Sequence, residues 1–285
     1  MTLASCDSRK TAGENPFFTE WDTPHGVPPF DKILPEHFMP AFERGMSLHE
    51  AEIDAITSNK DEATFENTIL AYDNAGQMLA QTELVFGMLC AAETNDRMQA
   101  LQEQAMPLLA AHRDKIRLDD KLFVRVKEVY DRRAALGLDA EQMRLLQKTY
   151  DSFVRAGALL DAEQKARLKE INGQLSLTAV KFGNNILAEN NNFVLELKSD
   201  ELDGLPAGIR DAAREKAQQM GKGDKWVFTL HKPSLIPLLT YSTRRDLREK
   251  IYKAYLNRCN NGDEYDNKQL INDFIRLRTE KAHLL

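Results

Sequence analysis

Apolar and polar positions alternate along this chain with the period of helices almost throughout. Leu138-Asp139-Ala140-Glu141-Gln142 opens one run and Leu160-Asp161-Ala162-Glu163-Gln164 opens the next. In each, an aspartate can accept from the free N–H groups of a first helical turn, and a glutamine three residues on can reach back to it. After the first start, Met143, Leu146, Tyr150, Phe153 and Gly157 recur every three or four residues. After the second, Leu168, Ile171, Leu175, Ala179, Phe182 and Ile186 do so. Such spacing places each set on one face of an α-helix. Asn184-Asn185 and Asn190 to Asn192 close the second pattern, which predicts a helix from Ala162 to about Leu187, roughly 40 Å long. We expect it to be the spine of a mainly α body, with Ile171, Leu175 and Phe182 buried along it.

The rest of the chain predicts more helices. Asn15 to Pro40 is rich in proline and aromatics and reads as extended chain. Helices are expected from Pro35 to about Thr57, from Thr64 to Ala92, and from Asn95-Asp96 to Ile116 with Pro107 kinking or ending the run. Another is expected from Asp119-Asp120 to Leu136, stopped by Gly137. Phe193 to Leu197 and Trp226 to Leu230 are short, apolar and β-branched or aromatic, and predict a small two-stranded β element. Pro206 to Met220 predicts a helix between them, and Pro233, Pro237 and Leu238-Leu239 a turn and bridge. Ser242 or Thr243 caps a helix through Tyr255. A last helix is expected from about Asp266 to Leu285. It has no C-cap, and Phe274, Ile275 and Leu277 lack a later partner, so the chain is expected to be an incomplete folding unit.

Composition narrows the function. The 285 residues carry a net charge of −6, which argues against a general nucleic-acid binder. No apolar run approaches the roughly 20 residues that span a bilayer. Cys6, Cys90 and Cys259 are too few and too scattered for a disulfide framework. Cys90 reads as a small buried hydrophobe. Leu3-Ala4-Ser5-Cys6 is similar to a bacterial lipobox, in which the cysteine is lipidated, and the polar residues 7–14 suit a tether. The basic and apolar stretches of a signal peptide are missing before it. Either the true start lies upstream or the match is chance. The two localisations left open are the cell envelope or periplasm, as a lipoprotein, and the cytoplasm. Residues 1–14 are expected to be tether or signal remnant and 15–285 a helical region.

The motifs of chemistry are mostly absent: no P-loop, no dinucleotide fingerprint in the right order, no nucleophile elbow. His49-Glu50 begins a zincin motif, but Ile53 stands where the second histidine belongs and cannot ligate zinc. Glu280 and His283 have the spacing of a carboxylate di-metal pair without a second pair. His25, His37, His112 and His231 stand singly. We therefore assign no catalytic residue and no metal ligand. Arg244, Arg245, Arg248, Lys250, Lys253 and Arg258 make one helix basic, but interleaved Asp246 and Glu249 favour a solvated, ion-paired face over an anion site.

Pro28-Pro29-Phe30-Asp31-Lys32-Ile33, Pro35-Glu36-His37-Phe38-Met39-Pro40-Ala41-Phe42 and Thr64-Phe65-Glu66-Asn67-Thr68-Ile69 together resemble the start of the thimet oligopeptidase family of zinc metallopeptidases, in particular its bacterial peptidyl-dipeptidase branch. His112-Arg113-Asp114-Lys115-Ile116, Phe153 to Ala158, Arg245 to Lys250 with Asp266-Asn267, and Leu277 to Ala282 fit it too. The resemblance covers Asn15 to Leu285 and rests on the order and spacing of these motifs. It implies a neurolysin-like helical N-terminal half forming one wall of a channel that admits short peptides. It also implies that the zinc, its ligands and the base that activates water belong to a C-terminal half with no counterpart here. The expected function is that of the channel-wall region of a zinc metallopeptidase releasing C-terminal dipeptides, with short peptides and the C-terminal catalytic half as partners. This chain alone is expected to bind no zinc and to be inactive. The rival reading is a non-catalytic helical binding or scaffold relative.

Overall fold

The computed structural model describes residues 15–285. The tether and Cys6 lie outside the described residues. The fold is mainly α with a small β element: ten helices and one two-stranded antiparallel sheet among the described residues. The helices are α1 (Phe38–Ser58), α2 (Gln77–Ala92), α3 (Asp96–Arg117), α4 (Asp120–Asp131), α5 (Ala140–Arg155), α6 (Ala162–Asn192), α7 (Ala207–Gln219), α8 (Lys232–Tyr241), α9 (Arg245–Leu256) and α10 (Lys268–Leu284). The strands are β1 (Leu195–Leu197) and β2 (Trp226–Phe228). Two compact units result, one of residues 15–177 with 279–285 and one of residues 178–278, so that α6 and α10 each contribute to both.

In the first unit the two repeated starts form as the spacing predicts. Asp139 Oδ1 accepts from Gln142 N at 2.8 Å and Gln142 Oε1 from Asp139 N at 3.1 Å; Asp161 and Gln164 repeat both distances. Two apolar cores fill the unit. Phe17, Phe38, Phe42 and Phe86 meet edge to face and tilted in one. Ile69, Leu122, Val126, Leu146 and Phe153 fill the other. α1 and α2 approach so closely that a Cβ on Gly45 would lie 3.0 Å from Leu79 Cα. Leu168 and Ile171 of α6 are fully buried.

Several expected boundaries move. The run from Thr64 is not one helix. It winds as a π-helix over Phe65–Leu70, continues to Asp73, and breaks at Gly76, whose φ of 75° a side chain would resist. Pro107 neither ends nor splits its helix, since α3 runs on to Arg117, anchored on both sides of the proline by buried Met98, Ala105, Leu109 and Ile116. The expected turn at Pro233 and Pro237 is helix α8. Pro233 lies in the first turn, where its missing N–H costs no bond, and Leu235 and Leu238 are buried. α9 is preceded by Arg244 without a side-chain cap; Ser242 and Thr243 instead make other bonds.

In the second unit Leu195 pairs with Phe228, Glu196 with Val227 and Leu197 with Trp226. Leu195, Leu197 and Phe228 join Leu235, Leu238, Leu247 and Ile251 in its core. The asparagines of α6 do not stop it at Leu187; the helix reaches Asn192. Asn185 is buried because its Nδ2 donates to Asn267 Oδ1 at 2.8 Å, and Asn267 Nδ2 donates to the Phe182 carbonyl at 3.2 Å. A paired amide costs far less inside than an orphan one. This pair fixes the second half of α6 against the start of α10.

Candidate functional site

The two cysteines among the described residues are poor nucleophiles. Cys90 and Cys259 are free thiols. Burial raises both, Cys259 to about 11 with the Glu189 carboxylate adding to it, so neither supplies thiolate at neutral pH. Cys90 is half-buried rather than fully buried as expected. The basic helix α9 is ion-paired: Arg244 chelates Asp246, Arg248 donates to the Ser242 carbonyl, Lys253 meets Glu249 and Arg258 lies over Tyr255.

The fold brings together two histidines that stand 63 positions apart. His112 on α3 is buried, and its Nε2 lies 3.1 Å from Nδ1 of His49 on α1. On the other side of the ring, His112 Nδ1 is 3.4 Å from Glu50 Oε1 without hydrogen-bond alignment, a contact that becomes ionic only when the ring is protonated. Glu50 Oε2 meets Lys115 Nζ at 2.8 Å, and Glu52 accepts from the Gly76 N–H at 2.7 Å. Burial lowers both imidazoles. For His49 the neighbouring His112 adds to the effect; for His112 the Glu50 carboxylate opposes it. Nothing in the local sequence links these residues, because the pair is made by α1 packing on α3. It does not fit a catalytic zinc, which needs three lone pairs converging on one point. Here the two nitrogens face each other as donor and acceptor, and Glu50 is behind the ring. Glu280 is held by both guanidinium edges of Arg167, at 2.6 and 2.9 Å, rather than facing a metal partner. Among the described residues no three His, Cys, Asp or Glu side chains gather into a possible metal cluster.

The second unit holds the clearest open site. A groove of about 310 Å³ runs between the later part of α6 and α10, lined by Ala179, Phe182, Leu270, Ile271, Phe274 and Ile275. All six are apolar. Phe182 was expected to be a core residue, yet it is only half-buried because one side faces this groove. Leu175, in the first unit, is likewise only half-buried. Ile271 is 44% exposed and Ile275 60%. A second cavity of about 380 Å³ shares Phe182 and Ile271 and extends the surface to Leu256, itself 60% exposed. The period that places 179 with 182, and 271 with 275, builds the stripe. The groove can bind by burying apolar area, at about 25 cal/mol per Å², and its six lining side chains include no acid, base or nucleophile, whereas the second cavity is also bordered by Arg258, Cys259 and Lys268.

Known proteins resemble the chain along nearly all of its length. It is 36% identical to the dipeptidyl carboxypeptidase of Escherichia coli over 272 residues, which is 95% of this chain and 40% of the relative. It is 26% identical to oligopeptidase A of the same organism over 92% of this chain and 39% of the relative. The chain matches an N-terminal part of the thimet oligopeptidase family. A thimet-like oligopeptidase of Dictyostelium discoideum is 23% identical over 88% of this chain. The chain thus spans about 40% of the length of the dipeptidyl carboxypeptidases it resembles. No protein-family model matches it. No helix among the described residues is long and apolar enough to cross a membrane.

Proposed function

We propose that this chain is the N-terminal, channel-wall region of a zinc metallopeptidase that hydrolyses short peptides and releases C-terminal dipeptides. The observation that supports this most is the 36% identity to a dipeptidyl carboxypeptidase, sustained over 95% of the chain. The weaker likeness to oligopeptidase A, at 26%, is again to a peptidase. In this reading, zinc and the groups that activate water come from the part of the enzyme that this chain does not match. The residues described above do not fit the metal, and the contribution of the chain as a whole is to shape and bound the path of the peptide. Cys6 in this reading is a lipid anchor at the cell envelope.

Three measurements test the proposal. The complete gene product, purified and incubated with an N-blocked tripeptide, should release its C-terminal dipeptide and lose that activity to a chelator. The 285-residue chain alone should hold no stoichiometric zinc by mass spectrometry and release nothing. One zinc per 285-residue chain, with chelator-sensitive dipeptide release, overturns the division of labour. A complete product that leaves the tripeptide intact overturns the peptidase reading. Fractionation of cells expressing the native gene, repeated with Cys6→Ala, tests the anchor; two cytosolic forms reject it.

A further inference from the structure

Other exposed apolar residues of this protein stand singly or in a pair along one helix, as Val124 does on α4, Leu159 in the turn after α5 and Leu84 with Met88 on α2, and such exposed hydrophobes are ordinary. The groove between α6 and α10 is different. Phe182, Ile271, Phe274 and Ile275 gather on two facing walls, and Leu256 continues the surface. A patch of this kind calls for a cover.

The walls select what the cover is. Both are α-helices, whose backbone N–H and C=O groups are used internally. An extended peptide laid in the groove would bring an N–H and a C=O with every residue and find no partner for them there. Each such group buried without a partner costs free energy comparable to a lost hydrogen bond. A helix brings its backbone already paired and needs only an apolar stripe at the same spacing. The relatives supply its source. The chain spans about 40% of their length, and in the peptidase reading the rest of the enzyme brings a larger stretch of polypeptide to pack against it.

Resting on the peptidase reading above, we infer that the groove formed by Ala179, Phe182, Leu270, Ile271, Phe274 and Ile275 seats an amphipathic α-helix from the remaining polypeptide of the enzyme. The Asn185–Asn267 amide pair positions the two walls to receive it. The groove is then an interface within the complete enzyme and not a substrate subsite.

The test joins the unaltered 285-residue chain to the part of Escherichia coli dipeptidyl carboxypeptidase that it does not match. Hydrogen exchange and melting are compared between chain and fusion, with Ile271→Glu, Ile275→Glu and the distant control Leu84→Glu. Amides of 179–186 and 270–278 should exchange at least about tenfold more slowly in the fusion than in the chain alone. Either groove variant should erase that protection and lower the fusion's Tm by roughly 5 °C or more, while shifting the chain alone by no more than about 2 °C. Leu84→Glu should do neither. Should the fusion fail to fold, co-purification of the two separately expressed pieces, lost on Ile275→Glu and kept on Leu84→Glu, is the second measurement. Equal exchange in chain and fusion overturns the inference. So does protection in the chain alone that vanishes on dilution, which would mean a second copy, or protection gained only when a blocked tripeptide is added, which would mean a substrate seat. A protected fusion without dipeptide release sinks the peptidase reading and spares the groove; an active fusion with an unprotected groove does the reverse.

Discussion

Lowering the pH should loosen the first unit through His49 and His112. Both imidazoles sit below their ordinary value near 6.5 because of burial, and His49 further because His112 faces it at 3.1 Å. The facing charges are Glu50 and Glu52 on α1, Lys115 and Arg113 on α3, and Glu83 on α2. The unfolded chain takes up protons at both rings near pH 6.5 while the native pair resists. The stability from keeping them neutral is therefore complete above about 6.5 and is lost as the pH falls from there through the native values. Each ring contributes at most about 1.4 kcal/mol per pH unit in that window, so the pair contributes at most about 2.7. Glu50 titrates in a separate window. Lys115 holds its carboxyl low, so its contribution persists down to about pH 4.5 and disappears only below that.

The two tryptophans make the assay selective, since Trp21 belongs to the first unit and Trp226 to the second. In a Trp226→Phe background, urea unfolding followed by Trp21 fluorescence reports the first unit. With an m-value near the upper end of the usual 1–3 kcal/mol/M, the midpoint should drop by up to about 1 M per pH unit just below pH 6.5. His49→Gln keeps an amide beside His112 but removes one proton site and the mutual repulsion, so the slope should fall by half or more. A midpoint that stays flat from pH 8 to 5, or one slope shared by wild type and His49→Gln, would refute the reasoning.

Gly45→Ala should destabilise the first unit by about 1–3 kcal/mol by circular dichroism melting, because a Cβ there meets Leu79 Cα at 3.0 Å; the usual gain from replacing a helical glycine would appear instead if α1 and α2 could part freely. Phe153→Ala should cost about 3–5 kcal/mol, since Phe153 is wholly buried and packs on Tyr72 and Phe123. Phe182→Ala in the chain alone should cost clearly less, its ring facing the open groove, and equal losses in the two urea curves would contradict the burial described. Arg125→Met should cost about 1.5–3 kcal/mol, because Arg125 donates to the carbonyls of Asn59 and Asp61 and to Asn67 Oδ1; a neutral result would mean that this loop needs no such clasp.

What the sequence announces here is what short segments decide for themselves. The boxes at Asp139 and Asp161 involve residues three apart, and both form with the same distances. The strand pair is legible because β-branched and aromatic runs stand out against helical spacing. The features that escaped are made by contacts distant in sequence. Gly76 breaks its helix where Glu52 takes its N–H and the His49 ring lies 3.0 Å from any Cβ. Asn185 looks like a helix stop until Asn267 is found beside it. The His49–His112 pair spans 63 residues and has no local signature. The resemblance was legible for a different reason: many weak motifs in a fixed order carry information that no single one does.

The long amphipathic run of α6 marks where these two kinds of information part. Its period puts Ile171, Leu175 and Phe182 on one side and predicts that this side is covered, which is a statement about apolar area and not about what covers it. At Ile171 the cover is present and exposure falls to zero. At Phe182 the period is equally good, yet the ring borders an open groove. A reading by periodicity alone calls both positions core, because an apolar stripe awaiting a partner and one already packed have the same pattern. Burial separates them, and the difference falls on the stretch of α6 that faces Ile271 and Ile275. The positions where a sound helical pattern and the observed burial disagree are therefore the places to test for a partner.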